Sequence, residues 1–329
     1  MLDNVPLLDV SGLKTEYSGR SGNTGVRVAD DVSLSVKRGE TLGVIGESGS
    51  GKTALALAIM RLLPRAGRTV GGRVLFDGID LLARPESDMR NIRGRRIGMI
   101  FQDPMVALDP LFTIGDQLAE PLRRHLGLSA GEIRERSRQL LAAFGIPSPE
   151  IRLRQYPHQL SGGMLQRIVA AIALSCDPDM IIADEPTTAL DPTIQAQFLD
   201  LLMKQKEMRR LSIIIVTHDF GVAAQICDTI AVMYAGRIVE KGTVRQVLKT
   251  PGHPYSKALI QTISSDRAAG KHQRRTAIPG MPPDLSQLPH GCSFAPRCSS
   301  AMPKCRDIPP PDALIEDGHR AACWLVANP

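Results

Sequence analysis

The run Gly46-Glu47-Ser48-Gly49-Ser50-Gly51-Lys52-Thr53 restricts the fold of this chain more than any other feature. It matches G-x-x-x-x-G-K-[ST]. Glycines let successive backbone N–H groups converge on one concave point that side chains would obstruct. The run follows the apolar stretch Thr41–Ile45, which reads as a buried strand, and it leads into residues 52–63, helical in period until Pro64. A strand, a glycine loop and a helix N-terminus in that order make an anion cradle, because free N–H groups and the helix dipole both favour phosphate. Lys52 adds a point charge for β- and γ-phosphates, and Thr53 offers a hydroxyl to Mg²⁺. Gly46, Ser48, Gly49, Ser50, Gly51, Lys52 and Thr53 are therefore candidate nucleotide-binding residues.

The rest of the chain supplies a sheet for that loop. Runs 72–76, 97–101, 180–183 and 212–216 read as strands, the last two being apolar and β-branched as fully buried strands are. Helical periodicity in 162–174 and 192–210 makes βαβ units around a central parallel sheet the predicted architecture, an α/β class. Up to about residue 40, β-prone runs alternate with polar turns; 31–36 alternates as a half-buried strand, and 18–23 has loop composition. Residues 113–126 and 130–144 read as two amphipathic helices. Beyond about residue 250 prolines accumulate, including Pro309-Pro310-Pro311, so an irregular appendix is expected. No internal repeat is present.

Composition narrows the function. A hydrophobic fraction of 43% and a charged fraction of 22% in 329 residues are ordinary for a soluble globular protein. No apolar run approaches the ~18–20 residues a bilayer requires. The opening MLDNVPLLDV lacks the basic-then-apolar order of a signal peptide, so a cytosolic location is expected. The net charge is +6, and the basic groups Arg93-Gly94-Arg95-Arg96, Arg123-Arg124, Arg209-Arg210 and Arg274-Arg275 read as solvated surface. With 4% aromatic residues there is little to stack bases, and no nucleic-acid partner is expected.

Two further runs carry chemistry. Ile181-Ile182-Ala183-Asp184-Glu185-Pro186 sets two carboxylates at the C-terminal edge of a strand, where parallel α/β sheets bind ligands. Asp184 is suited to hold Mg²⁺; Glu185, one residue on, points elsewhere and can polarise an attacking water. Leu160-Ser161-Gly162-Gly163-Met164-Leu165-Gln166-Arg167 opens a helix, with Ser161 as N-cap and glycines that leave N–H groups open to an anion. This run resembles the LSGGQ signature of ATP-binding-cassette (ABC) ATPases, with Met164 where Gln is commonest. Gln102, at the end of a strand, has the Q-loop position; Thr188-Ala189-Leu190-Asp191 resembles the D-loop, and Val216-Thr217-His218-Asp219 the switch histidine. Together the matching motifs span about residues 7–246.

The resemblance implies the P-loop ABC ATPase fold over residues 1–250: a parallel-sheet core, an antiparallel β subdomain and an α-helical subdomain at about 103–175. It implies that Asp184 supports Mg²⁺, that Gln102 touches that metal or water, that Glu185 activates water and that His218 senses or polarises the γ-phosphate. Ser161, Gly162, Gly163 and Asp191 would serve ATP held on the P-loop of a second chain, since this chain has one P-loop and one signature. Tyr17 is the candidate to stack on adenine. It fits a core aromatic as well, and the 18–23 loop lengthens its separation from the P-loop.

Four of the six cysteines, Cys292, Cys298, Cys305 and Cys323, are spaced C-x₅-C-x₆-C-x₁₇-C near the C-terminus. In a reducing compartment that clustering suggests metal rather than disulfides. Four thiolates suit Zn²⁺ or an iron–sulfur cluster, or stand as unliganded structural thiols; the spacing does not choose among them. Arg297, Lys304, Arg306 and Arg320 lie nearby in sequence and could offset the charge of an anionic centre. Cys176 and Cys227 sit in apolar segments and are expected in the core. Gly252-His253-Pro254-Tyr255-Ser256 and Ile278-Pro279-Gly280-Met281-Pro282-Pro283 resemble the extension, here 251–329, of ABC ATPases from oligopeptide and dipeptide importers. Met in place of the signature Gln is familiar there, and the resemblance implies a [4Fe–4S] cluster on the four cysteines.

An ATP-hydrolysing subunit of a peptide importer is what the resemblance implies, peripheral on the cytoplasmic face of the inner membrane. Its implied partners are two transmembrane permease subunits, a second, non-identical ABC ATPase and, indirectly, an extracytoplasmic solute-binding protein. The segment from about 103 to 160 is where ABC importers receive the permease's coupling helices. The alternatives are nickel or glycoside uptake by the same engine, a soluble ABC ATPase, or a metal sensor built on the cysteines. A single cassette without a large DNA-binding insertion weighs against the soluble class.

Overall fold

The computed structural model describes residues 5–18, 25–267 and 278–327. Residues 19–23 of the sequence-read loop and the pair Arg274-Arg275 lie outside the described residues. In chain order the strands are β1 (Leu8–Tyr17), β2 (Val26–Val36), β3 (Thr41–Ile45), β4 (Gly67–Phe76), β5 (Ile79–Asp80) and β6 (Ile97–Ile100). They continue as β7 (Met180–Asp184), β8 (Ser212–Thr217), β9 (Thr229–Tyr234), β10 (Arg237–Thr243), β11 (Asp312–Glu316) and β12 (His319–Ala322). The chain forms two compact units: Ala83–Val216 with Lys37–Glu40, and Pro6–Val36 with Thr41–Leu82 and the chain from Thr217 onward.

In the first unit β6, β7 and β8 run parallel, with Ile97 opposite Met180 and Met180 opposite Ser212. Every residue of β7 and β8 is buried, as apolar runs without alternation require. Around this sheet segment the helices begin where their capping residues dictate. Thr113 caps Ile114–Leu126 and Ser129 caps Ala130–Ala143, each in a reciprocal box with Asp116 or Glu132 that satisfies otherwise orphaned N–H groups. Their apolar faces meet at Ala119, Leu122 and Ile133. Gly162–Ala173 and Pro192–Arg209 follow, the latter ending where Arg210 turns left-handed.

The second unit holds an antiparallel sheet, β2-β1-β4-β5. It also holds β3, parallel to β9; β10 lies antiparallel to β9, and β12 antiparallel to β10. The predicted strand 72–76 is the inner half of β4, which extends back to Gly67 through alternating half-buried and exposed positions. After the glycine loop the helix is Lys52–Ile59, shorter than the sequence period suggests. Arg61 takes a left-handed φ of 52° and its Nη1 donates to the Leu81 carbonyl at 3.2 Å, so the chain leaves the helix ahead of Pro64.

The segment beyond residue 250 is less irregular than its prolines suggest. It contains the helix Pro254–Arg267 and the hairpin β11–β12, whose inner strand pairs with β10 at Glu240 and Lys241. A buried hydrogen-bonded pair, Glu240 with His319, fixes that edge. Glu240 accepts from His319 Nε2 at 2.8 Å and from the Gly252 and His253 amides at 2.7 and 2.9 Å. Three donors offset the cost of burying the carboxylate. Tyr255, Phe294 and Tyr234 pack together beside it, with ring centroids 4.6–5.3 Å apart, in one core with Ile45, Phe220 and Val232. No helix among the described residues is long and apolar enough to cross a membrane.

Candidate active site

The phosphate loop follows a strand buried along its whole length. A Cβ at Gly46 would collide with the Met233 carbonyl oxygen, so only glycine fits there. Gly51 has φ 102°, and its Cβ would strike the Val28 carbonyl. Lys52 is buried, its ammonium donating to the Gly46 and Glu47 carbonyls at 2.8 and 2.9 Å. The Ser50 hydroxyl is buried with no hydrogen-bond partner among the described residues. A glycine-shaped turn, an unsatisfied hydroxyl and a lysine fit the oxygens of a phosphate chain. Ser48, Gly49 and Thr53 lie exposed.

Tyr17 closes β1, half-buried; a Cβ at Gly67 would lie 3.2 Å from its ring, and burial raises its pKa. His218 is exposed just past β8, ahead of Asp219, which caps Phe220–Ile226 by accepting from Gly221 at 2.6 Å.

Asp184 and Glu185 differ in burial and in backbone conformation. Asp184 ends β7, buried. Glu185 takes φ 44°, a left-handed conformation costly for a non-glycine residue, and its amide donates to the Val216 carbonyl at 2.9 Å. The kink delivers its carboxylate to Thr188 Oγ1 and Gln102 Nε2, which donate to Oε2 at 2.9 and 3.3 Å. Gln102 and Glu185, far apart in sequence, thus stand together. Ser161 caps the signature helix, accepting from the Met164 amide at 3.4 Å. Around Gly162 a Cβ would meet nothing, whereas at Gly163 it would touch Ile194. Asp191 has a structural task as well: its Oδ1 accepts from the Thr193 and Ile194 amides, both at 3.0 Å, as N-cap of Pro192–Arg209.

Cys292, Cys298, Cys305 and Cys323 all line one small cavity, with His253, Phe294 and Trp324. Burial pushes the Cys292 thiol up to about 11 and raises Cys298 and Cys323. Backbone N–H groups act against this, from Phe294 and Ala295 toward Cys292, Ser300 toward Cys298, and Leu325 and Val326 toward Cys323. Among the described residues, no three His, Cys, Asp or Glu side chains form a group that could hold a metal ion. The cysteine positions therefore support neither the zinc nor the cluster expectation by ligand geometry. The basic residues expected to offset a charged centre are mostly engaged otherwise. Arg320 donates to Asp312 at 2.7 Å, Lys304 lies over the Trp324 ring at 4.5 Å, and Arg297 pairs with Glu47. Arg93, Arg96 and Arg209 are likewise in ion pairs, with Glu86, Asp179 and Asp177. Cys176 is buried as expected, and Cys227 half-buried.

Sequence reasoning missed the partners of Glu47. Its amide donates to the Tyr255 hydroxyl at 2.8 Å, and its carboxylate meets Arg297. Tyr255 stands in a motif noted above, but nothing in the sequence ties it or Arg297 to the phosphate loop.

A phosphate loop, a strand-end acidic pair with its glutamine, and a serine-capped glycine signature define an ATP-hydrolysing ABC cassette. The pattern of the ABC transporter family matches residues 29–188, and that of the oligopeptide/dipeptide transporter C-terminal region matches 239–305. A probable peptide ABC transporter ATP-binding protein of Sinorhizobium fredii is 47% identical, covering 97% of this chain and 94% of its own. The dipeptide transport ATP-binding protein DppD of Bacillus subtilis is 45% identical, over 97% and 94%. Among solved structures, the ATP-binding cassette MJ0796, a dimer in a post-hydrolysis state bound to ADP and Pi, aligns with TM-score 0.65 and 29% identity, over 72% of this chain and 99% of that one. The chain belongs to the family of ATP-binding subunits of peptide-import ABC transporters.

Proposed function

We propose that this chain hydrolyses ATP to drive peptide import, seated peripherally on the cytoplasmic face of the inner membrane. What carries the reading is one chain holding both a phosphate loop that only glycine permits at Gly46 and Gly51, and a carboxylate, Glu185, aimed by a left-handed kink, Gln102 and Thr188. In this reading the loop amides and Lys52 take the β- and γ-phosphates. Thr53, Asp184 and Gln102 hold Mg²⁺, which when bound neutralises charge on the phosphates. Glu185 orients and polarises the attacking water, His218 contacts the γ-phosphate, and Tyr17 stacks on adenine. Ser161, Gly162 and Gly163, with Asp191 behind them, complete the site of a facing cassette, here a second and non-identical ATPase.

Two permease subunits are the membrane partners, and a solute-binding protein acts through them. Exposed Met105, Val106, Leu111 and Phe112, just after Gln102, support docking of a permease segment there. Reconstitution in liposomes with its permease partners tests this. Loaded binding protein carrying a peptide should stimulate ATP hydrolysis; stimulation by nickel or a glycoside alone would overturn the peptide assignment.

The four cysteines of the 251–329 extension are read as holding a [4Fe–4S] cluster in preference to zinc. What speaks for a bound centre is that all four thiols line one cavity and that backbone N–H groups are directed at three of the sulfurs. Hydrolysis needs nothing from the cysteine site. Anaerobically purified protein should show broad visible absorption that a four-cysteine serine variant lacks; a colourless, zinc-loaded protein contradicts the assignment.

A further inference from the structure

Glu47 is the second residue of the phosphate loop, and each of its polar groups is gripped. Its amide donates to the Tyr255 hydroxyl at 2.8 Å, and its carbonyl accepts from Lys52 Nζ at 2.9 Å. Its carboxylate accepts two parallel bonds from Arg297, Nη1 to Oε2 at 2.6 Å and Nη2 to Oε1 at 3.0 Å. The guanidinium is itself held. Its Nε donates to the Pro279 carbonyl at 2.9 Å, Nη1 reaches the Tyr234 hydroxyl at 3.4 Å, and the group lies 5.9 Å from the centre of the Tyr234 ring. Pairing with Glu47 raises its pKa. Tyr255 is fully buried against Tyr234 and Phe294. Pro282, Pro283 and Leu285 of the same extension line a small cavity with Glu47, Ser48, Gly49 and Ser50.

A loop of glycines and serines has much conformational freedom to lose before its amides converge. Glu47 is the one residue between Gly46 and Lys52 with a side chain long enough to be gripped from outside. The Arg297 fork is directional and its surroundings are rigid, so it fixes position as well as charge. With side-chain exposures of 5% for Arg297 and 24% for Glu47 the pair is largely buried, so breaking it lowers global stability as well as loosening the loop, and the test has to separate the two. We propose that Arg297 and Tyr255 are positioning residues for the phosphate loop, through which the C-terminal extension sets the loop for nucleotide before nucleotide arrives. This rests on the phosphate-loop reading above.

The test is the affinity of the full chain for MgADP and for Mg²⁺ with a slowly hydrolysed ATP analogue, by calorimetry, with melting temperatures alongside. Arg297→Met should weaken both ligands about tenfold in protein that remains folded, and Arg297→Lys by less, since a point charge cannot replace the fork. Glu47→Gln should match Arg297→Met, and the double variant should be no worse than either single one, because all three break one brace. Wild-type protein that binds neither nucleotide removes the phosphate-loop reading, and the proposal with it. Wild-type affinity in a folded Arg297→Met protein, even one that melts earlier, makes the pair architectural and overturns the proposal alone. If Arg297→Met does not fold, Tyr255→Phe removes only the hydroxyl that receives the Glu47 amide. Several-fold weaker binding in that variant supports the brace, and undiminished binding overturns it.

Discussion

At Gly46 one methyl group decides whether the loop can form. The Met233 carbonyl that a Cβ would strike belongs to β9, paired on both sides, so the backbone cannot give way. Gly46→Ala should lower nucleotide affinity at least about tenfold and melt earlier; a titration showing wild-type affinity contradicts the packing. His253 makes a second prediction at this scale. Full burial, with Lys257 adding to it, holds its pKa down to about 3, and its Nδ1 accepts from the Tyr255 amide at 3.0 Å. In the unfolded chain the same imidazole takes a proton near the usual 6.5. Between those values the unfolded state binds more protons, so stability falls as pH drops through that window, by up to about 1.4 kcal/mol per pH unit. His253→Asn, which keeps a short acceptor, should show a shallower loss in urea unfolding from about pH 6 to about pH 4. An unchanged slope counts against a buried neutral histidine.

The elements legible in sequence are those whose ends are written locally. Thr113 with Asp116 and Ser129 with Glu132 place two helices within a residue of their predicted starts. The unalternating apolar runs of β7 and β8 give buried parallel strands directly. Where the reading fell short, the cause is tertiary. The early end of Lys52–Ile59 comes from Arg61 reaching the Leu81 carbonyl. The β11–β12 hairpin, charged and set among prolines, is held to β10 by the Glu240–His319 pair, whose partners are 79 residues apart. The site divides the same way: its motifs are contiguous and readable, whereas Glu47 and Arg297 are separated by 250 residues. Asp191 shows a cap inside a motif. Asp191→Ala leaves two helix amides without their acceptor and should cost about 1 kcal/mol, lowering Tm by a few degrees. A melt unchanged within error speaks against that cap.

For the molecule as a whole, one phosphate loop and one signature in the sequence are what the proposal of a site shared by two cassettes rests on. The related cassette MJ0796 was solved as a dimer after hydrolysis. Closure on ATP and release after its cleavage would then be the switch that moves the permeases. Which cassette faces this one is written in no residue pattern of the chain, because that choice depends on the partner's surface. The most direct test is the behaviour of Glu185→Gln with MgATP, in the chain assembled with its membrane partners and second ATPase. Retained ATP binding, turnover reduced by about 10²–10⁴ and a cassette pair that stays closed with ATP but opens with ADP are the expected result. Hydrolysis at the wild-type rate would contradict the role given to Glu185 and, with it, the two-cassette engine built around it.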